Sequence, residues 1–227
     1  MELNIDPDLS VYRLTERARK QSALLNHRRT MSVISHEIED ATLLDGARTR
    51  IFSSFQRMSR FIPQIPRYRK LAQQAEIIYV FGIPDVEMPE IEKVVYIPLR
   101  PTDQLAREWF IVSYGQDYAT MLATEEQTNI DDPDNLRQFR GLWTFEATLT
   151  GIVAEWLTRV VNARPIMFAE ADHDTQAHHK YITRIKQRLD KRLTAAREKG
   201  VMDIVQSELA LIMNESLPHN VMINSLS

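Results

Sequence analysis

The chain has no cysteine, six glycines in 227 residues, and no strong excess of either charge. Each shortage removes a class of function. Without cysteine there is no disulfide framework, no thiolate nucleophile and no cysteine-based zinc site. The lack fits a reducing compartment, so a cytoplasmic location is expected. The few glycines leave no glycine-rich phosphate loop and no dinucleotide fingerprint, and no G-x-S-x-G nucleophile elbow is present. With 28 Lys and Arg against 31 Asp and Glu the formal charge is −3. No global basic field therefore points to nucleic acid or an anionic membrane. No apolar run approaches the roughly 20 residues needed to span a bilayer. The opening "MELNIDPDLS" is acidic and lacks the apolar centre of a signal peptide. No cofactor is identifiable.

What remains is ordinary globular composition, 44% hydrophobic and 26% charged. The tract "LSVYRLTERARKQSALL" places Val11, Leu14 and Ala18 at helical spacing, which predicts a surface helix over about 9–20. Thr30 is the expected N-cap of a second helix over 31–44, with Met31, Ile34, Ile38 and Ala41 as its apolar stripe and "DG" at 45–46 as its stop. "RIFSSF" (50–55), "IIYVF" (77–81), "VVYIPL" (94–99), "WFIVSY" (109–114) and "FRGLW" (139–143) read as strands, several of them buried on both faces. A helix is expected over 67–75. "GQDYATMLATEEQ" reads as another, and the tract from Thr144 to Pro165 as a strong amphipathic one. Strands interleaved with helices predict an α/β fold, a central mixed sheet flanked by helices over residues 8–164.

Past Pro165 the pattern changes. Ile182, Ile185, Leu189, Leu193 and Ala196 are spaced 3-4-4-3 among charges, a narrow seam of coiled-coil type. With the more apolar "VMDIVQSELALIMNESL" it predicts a helical hairpin over 165–217. The hairpin packs either on the α/β domain or on a second copy, with Ile182, Ile185, Leu189 and Leu193 as oligomerisation candidates. Residues 218–227 read as a flexible tail.

"SHEIED" crowds His36, Glu37, Glu39 and Asp40 together. On a helix His36 and Asp40 stand one turn apart, opposite the apolar stripe, with Glu37 toward the flank. A zincin helix would need a second histidine where Asp40 stands. Three readings are open: a His–Asp pair on a partly covered face, a ligand contact or switch, and catalysis by His36 with Glu37 or Asp40. "DHDTQAHH" (172–179) lacks the His–His spacing of a metal site and reads as the solvated start of a helix, with acids at its positive end. Arg57 and Arg60, just after a strand, and Arg140 in "FRGLW" are candidate anion forks. The plainer reading is surface pairing with acidic loops. Trp109, Trp143 and Trp156 are expected in the core.

Taken in order, "NHRRTMSVISHEIEDA", "FSSFQRMSRF", "YVFGIPD", "YIPL", "EWFIV" and "RQFRGLWTF" resemble the DICT domain, a sensory domain associated with diguanylate cyclases and two-component systems in bacteria. The resemblance covers about residues 8–160. It implies a signal-input module, with light-related signalling among its settings. Its matching blocks contain His36, Glu37, Asp40, Arg57, Arg60, Arg140 and Trp143, which become ligand or interface candidates. No catalytic residue is implied. In that family an output domain usually stands alongside, and no cyclase, kinase or helix-turn-helix pattern is visible here. The expectation is therefore a regulatory protein that binds an unidentified small-molecule signal or a protein partner in a signalling pathway, and that can form a homo-oligomer. The alternatives are a non-sensory adaptor or assembly factor acting through the tail and, third, an enzyme using His36.

Overall fold

The β-branched and aromatic runs of the middle of the chain assemble into one seven-stranded mixed sheet. A computed structural model describes residues 5–18 and 24–216; the expected tail at 218–227 and the end of the first predicted helix lie outside them. The strands are β1 (Leu24–His27), β2 (Arg50–Arg57), β3 (Ile77–Ile83), β4 (Val94–Pro98), β5 (Glu108–Tyr114), β6 (Ala119–Glu126) and β7 (Gln138–Thr144). Their spatial order is β1-β7-β6-β5-β2-β3-β4. β2, β3 and β4 are parallel, and every other pairing is antiparallel. The sheet thus changes character between β2 and β5.

Helices cover both faces. α1 (Val11–Ala18) and α4 (Ala147–Val160) lie over one, on Phe52, Phe81, Phe110, Val112 and Met121. α2 (Arg28–Leu43), α3 (Ile65–Gln74), α5 (Thr175–Glu198) and α6 (Ile204–Ser216) lie over the other, on Ile51, Ile78, Val80, Ile111, Leu122 and Trp143. The expected stripe of α2, Met31, Ile34, Ile38 and Ala41, is buried in that second layer. Gly46, at φ +84°, supplies the left-handed turn that follows the helix.

Three expectations are corrected. "ATMLATEE", read as helix, is strand β6. Its Ala, Met, Leu and Glu favour helices as single residues. As a central strand it is paired on both edges and covered on both faces, so it shows no period-2 alternation. Strand β1 was not expected; it is a four-residue edge strand on β7. α2 begins at Arg28, not after Thr30, and its N-cap is His27.

The seam of α5 is also reassigned. Ile182, Ile185, Leu189 and Leu193 are all 5% exposed or less and pack into the same core as the sheet. The chain covers its own 3-4-4-3 seam, so these four residues present no surface for an oligomer. Asp174 caps α5 by accepting from the Ala177 N–H at 2.9 Å.

His178, expected in a solvated helix start, is buried against the sheet. The Ala119 N–H donates to its Nδ1 at 3.3 Å, which leaves Nε2–H to donate to the Phe145 carbonyl at 2.9 Å. Burial, with smaller contributions from His173 and His179, pushes its pKa down to about 4 against the opposing bond to Phe145. The folded form therefore binds fewer protons than the unfolded chain below the ordinary histidine range. The stability this ring supplies is present above about pH 6.5 and is lost as pH falls toward 4, by up to about 3 kcal/mol. Buried Glu108 gives the opposite slope. Burial pushes it up to about 7, although Ser10 and the Val11 and Tyr12 N–H groups donate to it. A site-resolved readout is needed to separate the two. We expect the His178 ring proton to titrate by NMR near pH 4, with faster exchange of the Ala119 amide as it does. A midpoint near 6.5 would show that the ring is not docked in this way.

Candidate functional site

The ladder between β2 and β5 ends at Ser53–Ile111, although β2 continues to Arg57 and β5 starts at Glu108. A cavity of about 50 Å³ opens where the two strands part, at the carboxyl half of β2 and the boundary between the parallel and antiparallel halves. Crevices of this kind, at strand ends beside a change of topology, are where open α/β sheets hold ligands. The volume suits roughly three waters or one small chemical group.

Four elements build its wall. From α2 come Ser32, Ser35, His36 and Glu39, spaced so that one helix face looks inward. β2 supplies Ser53, Ser54, Phe55 and Gln56, and β5 supplies Trp109 to Ile111. Arg60 and Gln64 come from the segment before α3, Tyr68 from α3, and Arg28 and Arg137 from the starts of α2 and β7. A bulge between Ser54 and Gln56 shifts the register with β3 and places Gln56 at φ +63°. A non-glycine residue in that region is strained and persists where its surroundings fix it. Here they do. The Gln56 amide donates to Glu126 at 2.7 Å, and its oxygen accepts from Arg60 at 2.6 Å and from Arg137.

The electrostatics divide the cavity into two ends. At one end lie three guanidinium groups. Arg137, fully buried, donates to both Glu126 oxygens at 2.6 and 2.8 Å. Arg28 pairs with exposed Asp134 at 3.2 Å and lies 5.8 Å from the centre of the Trp109 ring. Arg60 makes no ion pair among the described residues; it donates to Gln56 and to the Ile130 carbonyl, both neutral. Burial, then the charge of Arg137, pulls its pKa down to about 10, so it stays cationic at neutral pH. At the other end Glu39 is fully committed, to Arg67 and to the Tyr68 hydroxyl at 2.9 Å. Burial and the neighbouring Glu39 charge raise the Tyr68 hydroxyl well above the phenol range, so it remains a proton donor.

The structure sorts the sequence candidates. His36 and Arg60 line the cavity. His36 meets Gln64 at 3.4 Å, while Asp40 accepts from Arg67 at 2.7 Å, so the expected His36–Asp40 pair is not formed. Glu37 faces the other way and accepts from Arg188 of α5 at 2.7 Å. Arg57 pairs with Asp131 at 2.8 Å, outside the cavity wall. Arg140 is exposed on β7, and Trp143 is core beneath it, donating to Thr120 at 2.9 Å. Trp109, expected in the core, is only partly buried and forms cavity wall; its indole N–H donates to Ser35 at 3.0 Å.

Arg28, Arg137, Gln56 and Tyr68 were missed. For Arg137 a signal existed. It shares strand parity with Phe139, Gly141 and Trp143, the inward side of β7, whereas Arg140 has the outward parity. Among the described residues no group of three or more His, Cys, Asp or Glu is placed to hold a metal ion.

The family model described as "Sensory domain in DIguanylate Cyclases and Two-component system" matches residues 8–127, more than half of the sequence. The chain belongs to the DICT family. The match contains α1, α2, β2 to β6 and most of the cavity wall of this DICT chain; Arg137 lies beyond it. No curated protein matches the sequence. A crystal structure of polyphosphate kinase from Porphyromonas gingivalis aligns with 70% of this chain and 26% of its own, at 13% identity and a TM-score of 0.39. The family description assigns the DICT domain a sensory role in signal transduction. No helix among the described residues is long and apolar enough to cross a membrane.

Proposed function

We propose that this DICT chain takes a small-molecule signal into the cavity between β2 and β5 and passes it through α2 to the α5–α6 pair, which presents it to a protein partner. One observation carries the reading: α2 belongs to both places. Its inward residues Ser32, Ser35, His36 and Glu39 form cavity wall. Its other contacts hold the C-terminal helices. Glu208 of α6 sits at the α2 N-terminus, accepting from the His27 N–H at 3.1 Å and from the Thr30 hydroxyl, with His27 Nδ1 at 2.7 Å. An acid there complements the positive end of the helix. Arg188 of α5 clamps Glu37 and Asp45, each at 2.7 Å. A shift of α2 would have to break or move these charge-assisted bonds, which gives the C-terminal helices a differential contact with the two states.

We read the role as binding, because Asp40 and Glu39 are both paired with Arg67 and His36 meets the Gln64 amide in place of a carboxylate. A cavity beside the 50–60 segment supports a sensory role over a pure adaptor.

Native mass spectrometry of protein purified from its own host is the first test. A bound small molecule is expected, and it should be absent from Ser35→Phe, which fills the cavity from α2. Hydrogen exchange is the second. Filling the cavity should change protection within 175–216 while strand β4 is unaffected. Unchanged exchange in α5 and α6 would sink the transmission route.

A further inference from the structure

The family description names no ligand, and the chemistry of the wall narrows the class. Arg60 is a half-buried cation whose hydrogen bonds end on two neutral oxygens, the Gln56 amide and the Ile130 carbonyl. Beside it Arg137 is fully buried, and its Nη1 has no hydrogen-bond partner among the described residues. Exposed Asp134 lies 3.7 Å from that atom, beyond hydrogen-bond reach. A buried guanidinium nitrogen left without a partner costs free energy. A cation desolvated against neutral oxygens is likewise incompletely compensated. Burial and the charge of Arg137 depress the Arg60 pKa by more than Glu126 and Asp134 raise it.

The rest of the wall completes the ligand's outline. The only acid lining the cavity, Glu39, has both oxygens committed to Arg67 and Tyr68. Its charge is already paired with Arg67, which leaves a cationic ligand no unpaired carboxylate in the wall. Phe55 and Trp109 form an aromatic flank, and Trp109 is held in place by its bond to Ser35.

The geometry points to a small anion bearing a carboxylate or phosphate, held by Arg60 and Arg137, with its remaining body against Phe55 and Trp109. A planar two-oxygen acceptor matches a guanidinium fork, and each such bond is charge-assisted. The cavity of about 50 Å³ has room for one such group beside the arginines. The anion would also span elements. It would tie the bulge of β2 and the start of β7 to a wall formed by α2, the helix proposed above to pass the signal on. This assignment rests on the reading of the cavity as a ligand site.

The test follows the Trp109 indole N–H by NMR in the full chain, with the resonance assigned from Trp109→Phe. The probes are benzoate and inorganic phosphate, with benzamide as the neutral match and benzamidine as the cationic one. Benzoate or phosphate should shift the resonance saturably, and the response should weaken as salt rises. Comparing the two anions decides between carboxylate and phosphate. Arg60→Met should raise the dissociation constant at least tenfold, and Arg60→Lys should recover part of the loss. Arg60 is only partly buried, so both variants should fold. If benzamide or benzamidine titrates Trp109 and the anions do not, the anion assignment is overturned while the cavity stands as a ligand site. If anions bind equally well to Arg60→Met, they sit elsewhere and the assignment is overturned. If no probe of any charge moves Trp109, both the assignment and the ligand site fall.

Discussion

Replacing Arg137 with methionine is expected to lower stability by about 3–5 kcal/mol, the usual cost of removing one partner from a buried ion pair. Arg137 and Glu126 are 0% and 2% exposed, and the pair shares two hydrogen bonds. The variant strands the Glu126 carboxylate in a site where only the Gln56 amide and the Thr128 hydroxyl still donate to it. It also frees one of the two donors that hold Gln56 at its positive φ. Chemical denaturation measures the loss. The double variant Arg137→Met with Glu126→Gln should recover much of it, since a neutral amide removes the uncompensated charge. A loss under 1 kcal/mol in the single variant would mean that the pair is hydrated and that the cavity floor is not built as described. Because Arg137 lines the cavity, the single variant should also weaken anion binding even under conditions where it stays folded.

Ending the chain after Arg164 is expected to abolish cooperative folding. Ile182, Ile185, Leu189 and Leu193 of α5 and Val205, Leu209, Ile212 and Met213 of α6 share one core with Trp143, Phe145, Leu122 and Ile34. Burying a large aliphatic side chain is worth roughly 1.5–3 kcal/mol. Losing all eight, roughly 12–24 kcal/mol in total, is comparable to or larger than the roughly 5–15 kcal/mol by which a typical domain is stable. Truncation also removes Arg188 from Glu37 and Glu208 from the start of α2. Circular dichroism on heating and sedimentation compare the two forms, and the shortened chain should aggregate or show no sharp transition. A shortened chain that melts sharply as a monomer would make the C-terminal helices an accessory and not a layer of the fold.

Part of the site was legible in the residues. His36 and Arg60 were among the candidates, as a histidine inside an acidic helix face and an arginine just after a strand, although surface pairing was the plainer reading of the arginine. Arg140 was the wrong arginine of its pair, and the parity of β7 explains why. Glu37 and Asp40 share the helix of His36, but 100° steps carry them to different neighbours, α5 and α3. The bulge at Gln56 left no trace in the sequence, because a residue in the left-handed region is held there by Glu126 and Arg137, 70 and 81 positions away.

Composition and periodicity by themselves determined the α/β class and the absence of thiol chemistry. They also located five of the strands and the apolar faces of α2 and α5. These are local properties, set by which side of a helix or strand each residue occupies. The tertiary structure decided the rest. Pairing on both edges made β6 a strand against the helical preference of its residues. The parting of β2 and β5 opened a cavity that no single segment encodes. The choice of partner for the α5 seam fell to the chain's own sheet, because the exposed core beneath it offered apolar area that those four side chains could cover without a second copy.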